Sequence, residues 1–159
     1  MQEIPNSALG CRFSPLTEDC LRKAGWHAGR KVLTLKYRAY LSFYERYSWF
    51  PEVAAFLGEF GDLTIKFKQD EGGSDTLNTH ACDASAGVDV SWIQEDYARR
   101  IGHSQFCVIG TAFSNHLLLF MDGAGRVYGG FDDYLCYIAE DGTKAIERIC
   151  TNQPVQEIS

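Results

Sequence analysis

The feature that most constrains this chain is a change of hydrophobic period at Gly61–Asp62. Val53, Phe56, Leu57 and Phe60 recur at the i, i+3, i+4, i+7 spacing of one helical face, after a break at Phe50–Pro51. Leu63, Ile65 and Phe67 then alternate with Thr64, Lys66 and Lys68. The first pattern buries a stripe along a helix and the second buries one face of a strand. A chain that switches period within three residues must lay helix against sheet, which excludes a pure bundle and a pure barrel.

The neighbouring segments extend that reading. Ser14-Pro15 has the form of an N-cap with proline in the first turn, and Leu16, Cys20, Leu21 and Ala24 follow on one face before Gly25. Leu33, Tyr37, Tyr40, Leu41 and Tyr44 predict a second helix running to about Tyr47, with its aromatic stripe turned into the core. Residues 69 to 90 are rich in Gly, Ser, Asp, Asn and Ala, so they are expected to form a mobile surface loop. Ser91 and Gln94 suit a capping box, opening a helix with Trp92, Ile93, Tyr97 and Ile101 inward and Gly102 as its stop.

From Phe106 to Ala139 four apolar runs, at 106–113, 117–121, 126–129 and 134–139, are separated by turn residues such as Ser114-Asn115 and Asp122-Gly123-Ala124-Gly125. Asp141-Gly142 then introduces a closing helix with Ala145, Ile146 and Ile149 inward. The expected fold class is α+β: an antiparallel-rich meander packed with several helices, in a single domain over residues 1–159.

Composition limits the function classes. At 159 residues with 45% hydrophobic content the chain can fill a substantial core. Its apolar run Leu117–Met121 falls far short of the roughly 20 residues a membrane helix needs. The start Met1-Gln2-Glu3-Ile4-Pro5 has neither a basic nor an apolar leader segment, so the expectation is a cytoplasmic protein without membrane contact. Six cysteines, at 11, 20, 82, 107, 136 and 150, are dispersed through apolar sequence and read as reduced core thiols. The net charge of −6 is uneven: residues 1–50 carry eight Lys/Arg against four Asp/Glu, whereas residues 51–159 carry seven against 17. An acidic body of this kind disfavours direct nucleic-acid contact and favours a basic partner.

Signatures of catalysis are sparse. Gly123-Ala124-Gly125-Arg126-Val127-Tyr128-Gly129 lacks the G-x-G-x-x-G spacing and lies between strands, where a hairpin turn accounts for it. The sequence holds no G-x-S-x-G, H-E-x-x-H or C-x-x-C. His80-Ala81-Cys82-Asp83 is short of a zinc set, and Cys107 with His103 or His116 would place a nucleophile in an apolar strand that opposes thiolate formation. Cofactor, metal and catalytic residue are therefore all expected to be none. The carboxylate pairs Asp70-Glu71 and Asp132-Asp133 read as solvated charge or a binding surface.

Several blocks, in order, resemble the third SUKH family of bacterial immunity proteins. Ala24-Gly25-Trp26-His27-Ala28-Gly29-Arg30 is similar to its A-G-W-x-x-G-R opening, and Phe50 to Leu63 to its F-P-x-V-x-x-F-L-x-E-F-G-G-L block, with Asp62 in place of the second glycine. Tyr97 to Gly102, Val108-Ile109-Gly110, Asp122 to Tyr128 and Ala145 to Ile149 continue the likeness, over roughly residues 15 to 150. The resemblance implies a non-enzymatic protein that binds a cognate polymorphic toxin, often a nuclease or deaminase, and no catalytic residue to carry over. The expected contacts are Asp70, Glu71, Asp75, Asp132 and Asp133 on an acidic face that occludes the toxin. A small Cys/His hydrolase and a scaffold or regulator without a toxin are the competing readings, and neither oligomeric state nor toxin identity can be read.

Overall fold

The computed structural model describes residues 12–89 and 91–159; Cys11 and the amino-terminal reading lie outside them. Helix α1 (Pro15–Lys23) starts where Ser14 Oγ accepts the Thr17 N–H at 3.3 Å. Its buried face is Thr17, Cys20 and Leu21, and Leu16, expected on that face, is 54% exposed. The face is rotated by one residue because the Thr17 hydroxyl is satisfied by the Ser14 hydroxyl at 3.2 Å, so a polar side chain can point inward.

Helix α2 (Leu35–Tyr37) runs directly into a π-helical stretch, Arg38–Tyr44. Tyr37 and Leu41 are buried as expected, but Leu33 and Tyr44 are 88% and 72% exposed. The π-turn takes one residue more than an α-turn, which carries Tyr44 off the inward face, and Leu33 precedes the helix altogether. Helix α3 (Pro51–Phe60) matches its pattern: Val53, Phe56, Leu57 and Phe60 are all buried. It ends at Gly61, whose backbone turns extended, and only glycine fits there, since a Cβ would lie 2.5 Å from the Leu57 carbonyl oxygen and 2.9 Å from the Tyr37 hydroxyl.

The strands β1 (Thr64–Lys68), β2 (Ser74–Asn78), β3 (Phe106–Ala112), β4 (Leu117–Asp122), β5 (Val127–Phe131), β6 (Tyr134–Ala139) and β7 (Gln156–Glu157) form one antiparallel sheet in sequential order. The α+β meander is thus confirmed. The expected loop at 69–90 is corrected: it contains β2, paired with β1 over five residues, and helix α4 (Ala81–Ala86). Composition hid both, because β2 buries only Leu77 and α4 packs its small Ala81 and Ser85 inward against β3. The short β7 was also unread; its Gln156 and Glu157 pair with Tyr137 and Cys136.

A second π-helical stretch, Trp92–Tyr97, continues as helix α5 (Ala98–Ile101), closed by Gly102 at φ 103°. The capping box is not formed. Ser91 is itself helical and Asp89 does the capping, its Oδ1 accepting the Ser91 N–H at 3.0 Å and hydroxyl at 2.8 Å. Helix α6 (Gly142–Cys150) begins with Asp141 accepting the Lys144 N–H and buries Ala145, Ile146 and Ile149. Helices α1, α3 and α6 cover one face of the sheet; α4 and the Trp92–Ile101 segment cover part of the other. Cys20, Cys82, Cys107, Cys136 and Cys150 are free thiols, as expected.

Candidate partner-binding cleft

One row of cross-strand neighbours, Asn78, Thr111, Leu118 and Gly130, forms the floor of a cleft of about 600 Å³ on the partly covered face. Its walls are Asp83 and Ala84 of α4, the following Gly87 to Asp89, Trp92, Tyr97 and the turn residues Asn115, His116, Phe131 and Asp132. The antiparallel meander explains why these turns meet: the β3–β4 and β5–β6 hairpins leave the sheet at the same end.

The floor is shaped by Tyr97. Its ring lies over Gly130, where a Cβ would come within 2.5 Å of Tyr97 Cε2. Trp92 and Tyr97 are five residues apart, the repeat of a π-turn, and their rings stack with centroids 5.7 Å apart. Tyr97 stacks in turn on Phe120 and Phe120 on Tyr128, each pair at 5.6 Å. Trp92, only partly buried, is therefore the outer end of a four-ring stack that rises from the sheet. The Tyr97 hydroxyl donates to the Asp132 carbonyl at 2.6 Å, fixing a hairpin residue whose φ of 51° is left-handed. Burial, with the neighbouring Asp132 and Asp96 charges adding to it, pushes the Tyr97 phenol up to about 12.

The carboxylates fall into two groups. Among the described residues the Asp83, Asp132 and Asp133 carboxylates take no hydrogen bond or ion pair, and both bonds to Asp89 fall on Oδ1. Hydrogen bonds from the Ser91 backbone and then its hydroxyl hold Asp89 below the usual carboxylate range. Asp133 sits beside Asp132 in the same turn, with its carbonyl held by Arg100 at 2.8 Å. Of the expected contacts, then, Asp132 lines the cleft and Asp133 adjoins it.

Asp70 and Glu71 lie elsewhere. They are exposed in the β1–β2 turn and do not line the cleft. Asp75 is engaged internally, accepting from Gln69 Nε2 and the Ser114 hydroxyl at 2.8 Å each. Asp83, Asp89, His116, Trp92 and Phe131 went unread as cleft residues. Sequence patterning reads Asp83 only as a metal ligand and Trp92 only as core, since it cannot show that α4, packed on β3, and the π-turn, packed over β4 and β5, line one cleft.

The remaining candidates resolve into structure. Cys107 is fully buried, and burial pushes its thiol far up, away from a nucleophilic thiolate. His103 stacks on Phe106 and places Nε2 3.4 Å from Asp122, while His116 Nδ1 lies 3.0 Å from the Phe113 carbonyl. His80 lies beside Thr64 and Asp62, and among the described residues no three His, Cys, Asp or Glu side chains group as a metal ion would require. No helix of the described residues is long and apolar enough to cross a membrane.

Trp26 is 7% exposed, packs on Phe13 and Phe60, and donates its indole N–H to Glu59 Oε2 at 3.0 Å. Arg30 donates to the Glu59 carbonyl at 2.7 Å, and Arg12 pairs with the Glu59 carboxylate at 2.8 Å. The A-G-W-x-x-G-R block is thus a brace on the last turn of α3, which joins the two longest blocks of the resemblance into one structural unit. A search of curated proteins and a search of solved structures gave no match. A sequence model described as SUKH-3 immunity protein matches residues 13–152, most of the chain, and the protein belongs to that family.

Proposed function

We propose that this protein is the cytoplasmic immunity partner of a toxin domain, a nuclease or deaminase, and neutralises it by stoichiometric occlusion without chemistry of its own. The observation that supports this reading is the cleft end of the sheet, where Asp83, Asp132 and Asp133 present carboxylates with no partner among the described residues beside half-exposed Phe131. Charged groups not engaged in holding the fold are available for a partner, and a nuclease carries basic groups to hold phosphate. An interface of ordinary size, on the order of 1,600 Å², would extend from the cleft over the neighbouring turns. Steering by the acidic surface would speed capture before damage accumulates.

Coexpression with the product of the adjacent gene tests the reading. The expected result is rescue of growth and a stable complex of one copy of each chain. Asp132→Lys with Asp133→Lys should slow association and flatten its dependence on salt. A toxic neighbour that this protein neither binds nor neutralises would remove the reading.

A further inference from the structure

The chemistry of the cleft is more specific than negative charge. Among the described residues its lining contains no lysine or arginine, while Asp83 and Asp132 reach it from different elements, one from α4 and one from the β5–β6 turn. The ring of Trp92, which lines the same cleft, ends the stack, and Phe131, 50% exposed, packs edge-on with His116 at 6.1 Å. A carboxylate answers any cation, but an indole face held by a stack beneath it selects a flat one: guanidinium spreads over an aromatic ring and offers a fork of N–H donors to carboxylates at its edge. Ammonium is a compact, strongly hydrated point charge and gains less from a planar platform. The cleft, at about 600 Å³, exceeds one side chain and suits a short stretch of chain that carries it.

Building on the immunity reading, we propose that this cleft receives an arginine of the partner protein, its guanidinium lying on Trp92 and paired with Asp83 and Asp132. Trp92 and the two aspartates then set which basic partner is accepted, while the turns around them supply area.

The test uses the full chain, labelled with nitrogen-15, and three capped tripeptides: Gly-Arg-Gly, Gly-Lys-Gly and Gly-citrulline-Gly, the last a neutral isostere of the first. The Trp92 indole N–H and the Thr111 and Gly130 amides should shift with the arginine peptide, with binding about fivefold weaker for lysine and absent for citrulline. Asp83→Asn with Asp132→Asn, both exposed positions, should weaken arginine binding by about tenfold while the remaining resonances hold their places. Absence of these shifts at about 20 mM arginine peptide overturns the proposal, as do equal shifts with citrulline or shifts centred on Asp70–Glu71. Spermidine binding as tightly as the arginine peptide overturns it too, by showing a sink for any cation. The growth-rescue assay is read separately: rescue without arginine selectivity removes the arginine site and leaves the immunity reading standing. Selectivity without rescue keeps the site and removes the toxin as its occupant.

Discussion

Two aspartates bracket strand β5, ten positions apart, one closing β4 and one in the β5–β6 turn, yet they do opposite things. Asp122, 1% exposed, accepts the Ala124 and Arg126 N–H groups at 3.0 Å each, Arg126 Nε at 2.8 Å and the Tyr128 hydroxyl at 3.2 Å. It turns inward and assembles the β4–β5 reversal around itself. Asp132 is exposed, uses only its backbone carbonyl to hold the fold, and leaves its carboxylate without a partner among the described residues. The comparison separates acidic residues that the fold needs from those it does not, and net charge alone cannot make that separation.

The largest expected effect is at the inward member. Asp122→Ala leaves two turn N–H groups and the Tyr128 hydroxyl without their acceptor, and should lower unfolding free energy by about 3 kcal/mol in a urea melt. A loss no greater than that of Asp132→Ala would break the contrast. Next comes the floor that Asp132 borders: Gly130→Ala forces the Tyr97 ring from its seat and should cost about 2 kcal/mol while disturbing the Asp132 turn. Near-UV circular dichroism of the stacked rings should fall with it, and an unchanged spectrum would detach Tyr97 from the turn.

Asp62 sharpens the comparison, because its own backbone is left-handed (φ 62°), as that of Asp132 is, while its carboxylate is engaged internally like that of Asp122. Burial raises its pKa, but hydrogen bonds from Lys36 (2.6 Å) and Tyr37 outweigh this and hold the carboxyl below its ordinary value of 3.8. The unfolded chain therefore takes up the proton first, so Asp62 contributes stability above pH 3.8 that is lost as pH falls through its lower native value. Acid unfolding monitored by fluorescence should become less steep in that window for Asp62→Asn; an identical acid limb would show the bonds to be idle. The smallest effect on stability belongs to Asp132→Asn, within about 0.5 kcal/mol of the parent. Its consequence should appear only in slower association with the partner, and equal on-rates would place the contact surface elsewhere.

Legibility followed the strength of apolar patterning. Helix α3, strand β1 and helix α6 were read residue by residue because long apolar side chains at a single period dominate them. The meander was legible from its turn residues. Where small or polar residues carry an element, as in α4 and β2, the signal is absent: Ala81 and Ser85 are buried by close approach, which no hydropathy pattern records. The π-turns escaped for a different reason, since period analysis assumes 3.6 residues per turn and reads Tyr44 and Trp92 onto faces they do not occupy. As for the site, Asp132 and Asp133 were found as exposed charge, while Asp83 and Asp89 depend on an element that composition concealed.

A helix containing a π-turn holds one residue beyond what an α-helical ladder would use over the same span. Removing a residue between Trp92 and Tyr97 would rewind that turn and swing Trp92 by roughly 100° about the axis, since each helical residue contributes that rotation. The sheet beneath would keep every hydrogen bond. Recognition at this wall could thus be rewritten by a change of length instead of a change of side chain, which gives a lineage under pressure from shifting opponents a route to new specificity that leaves its foundations alone.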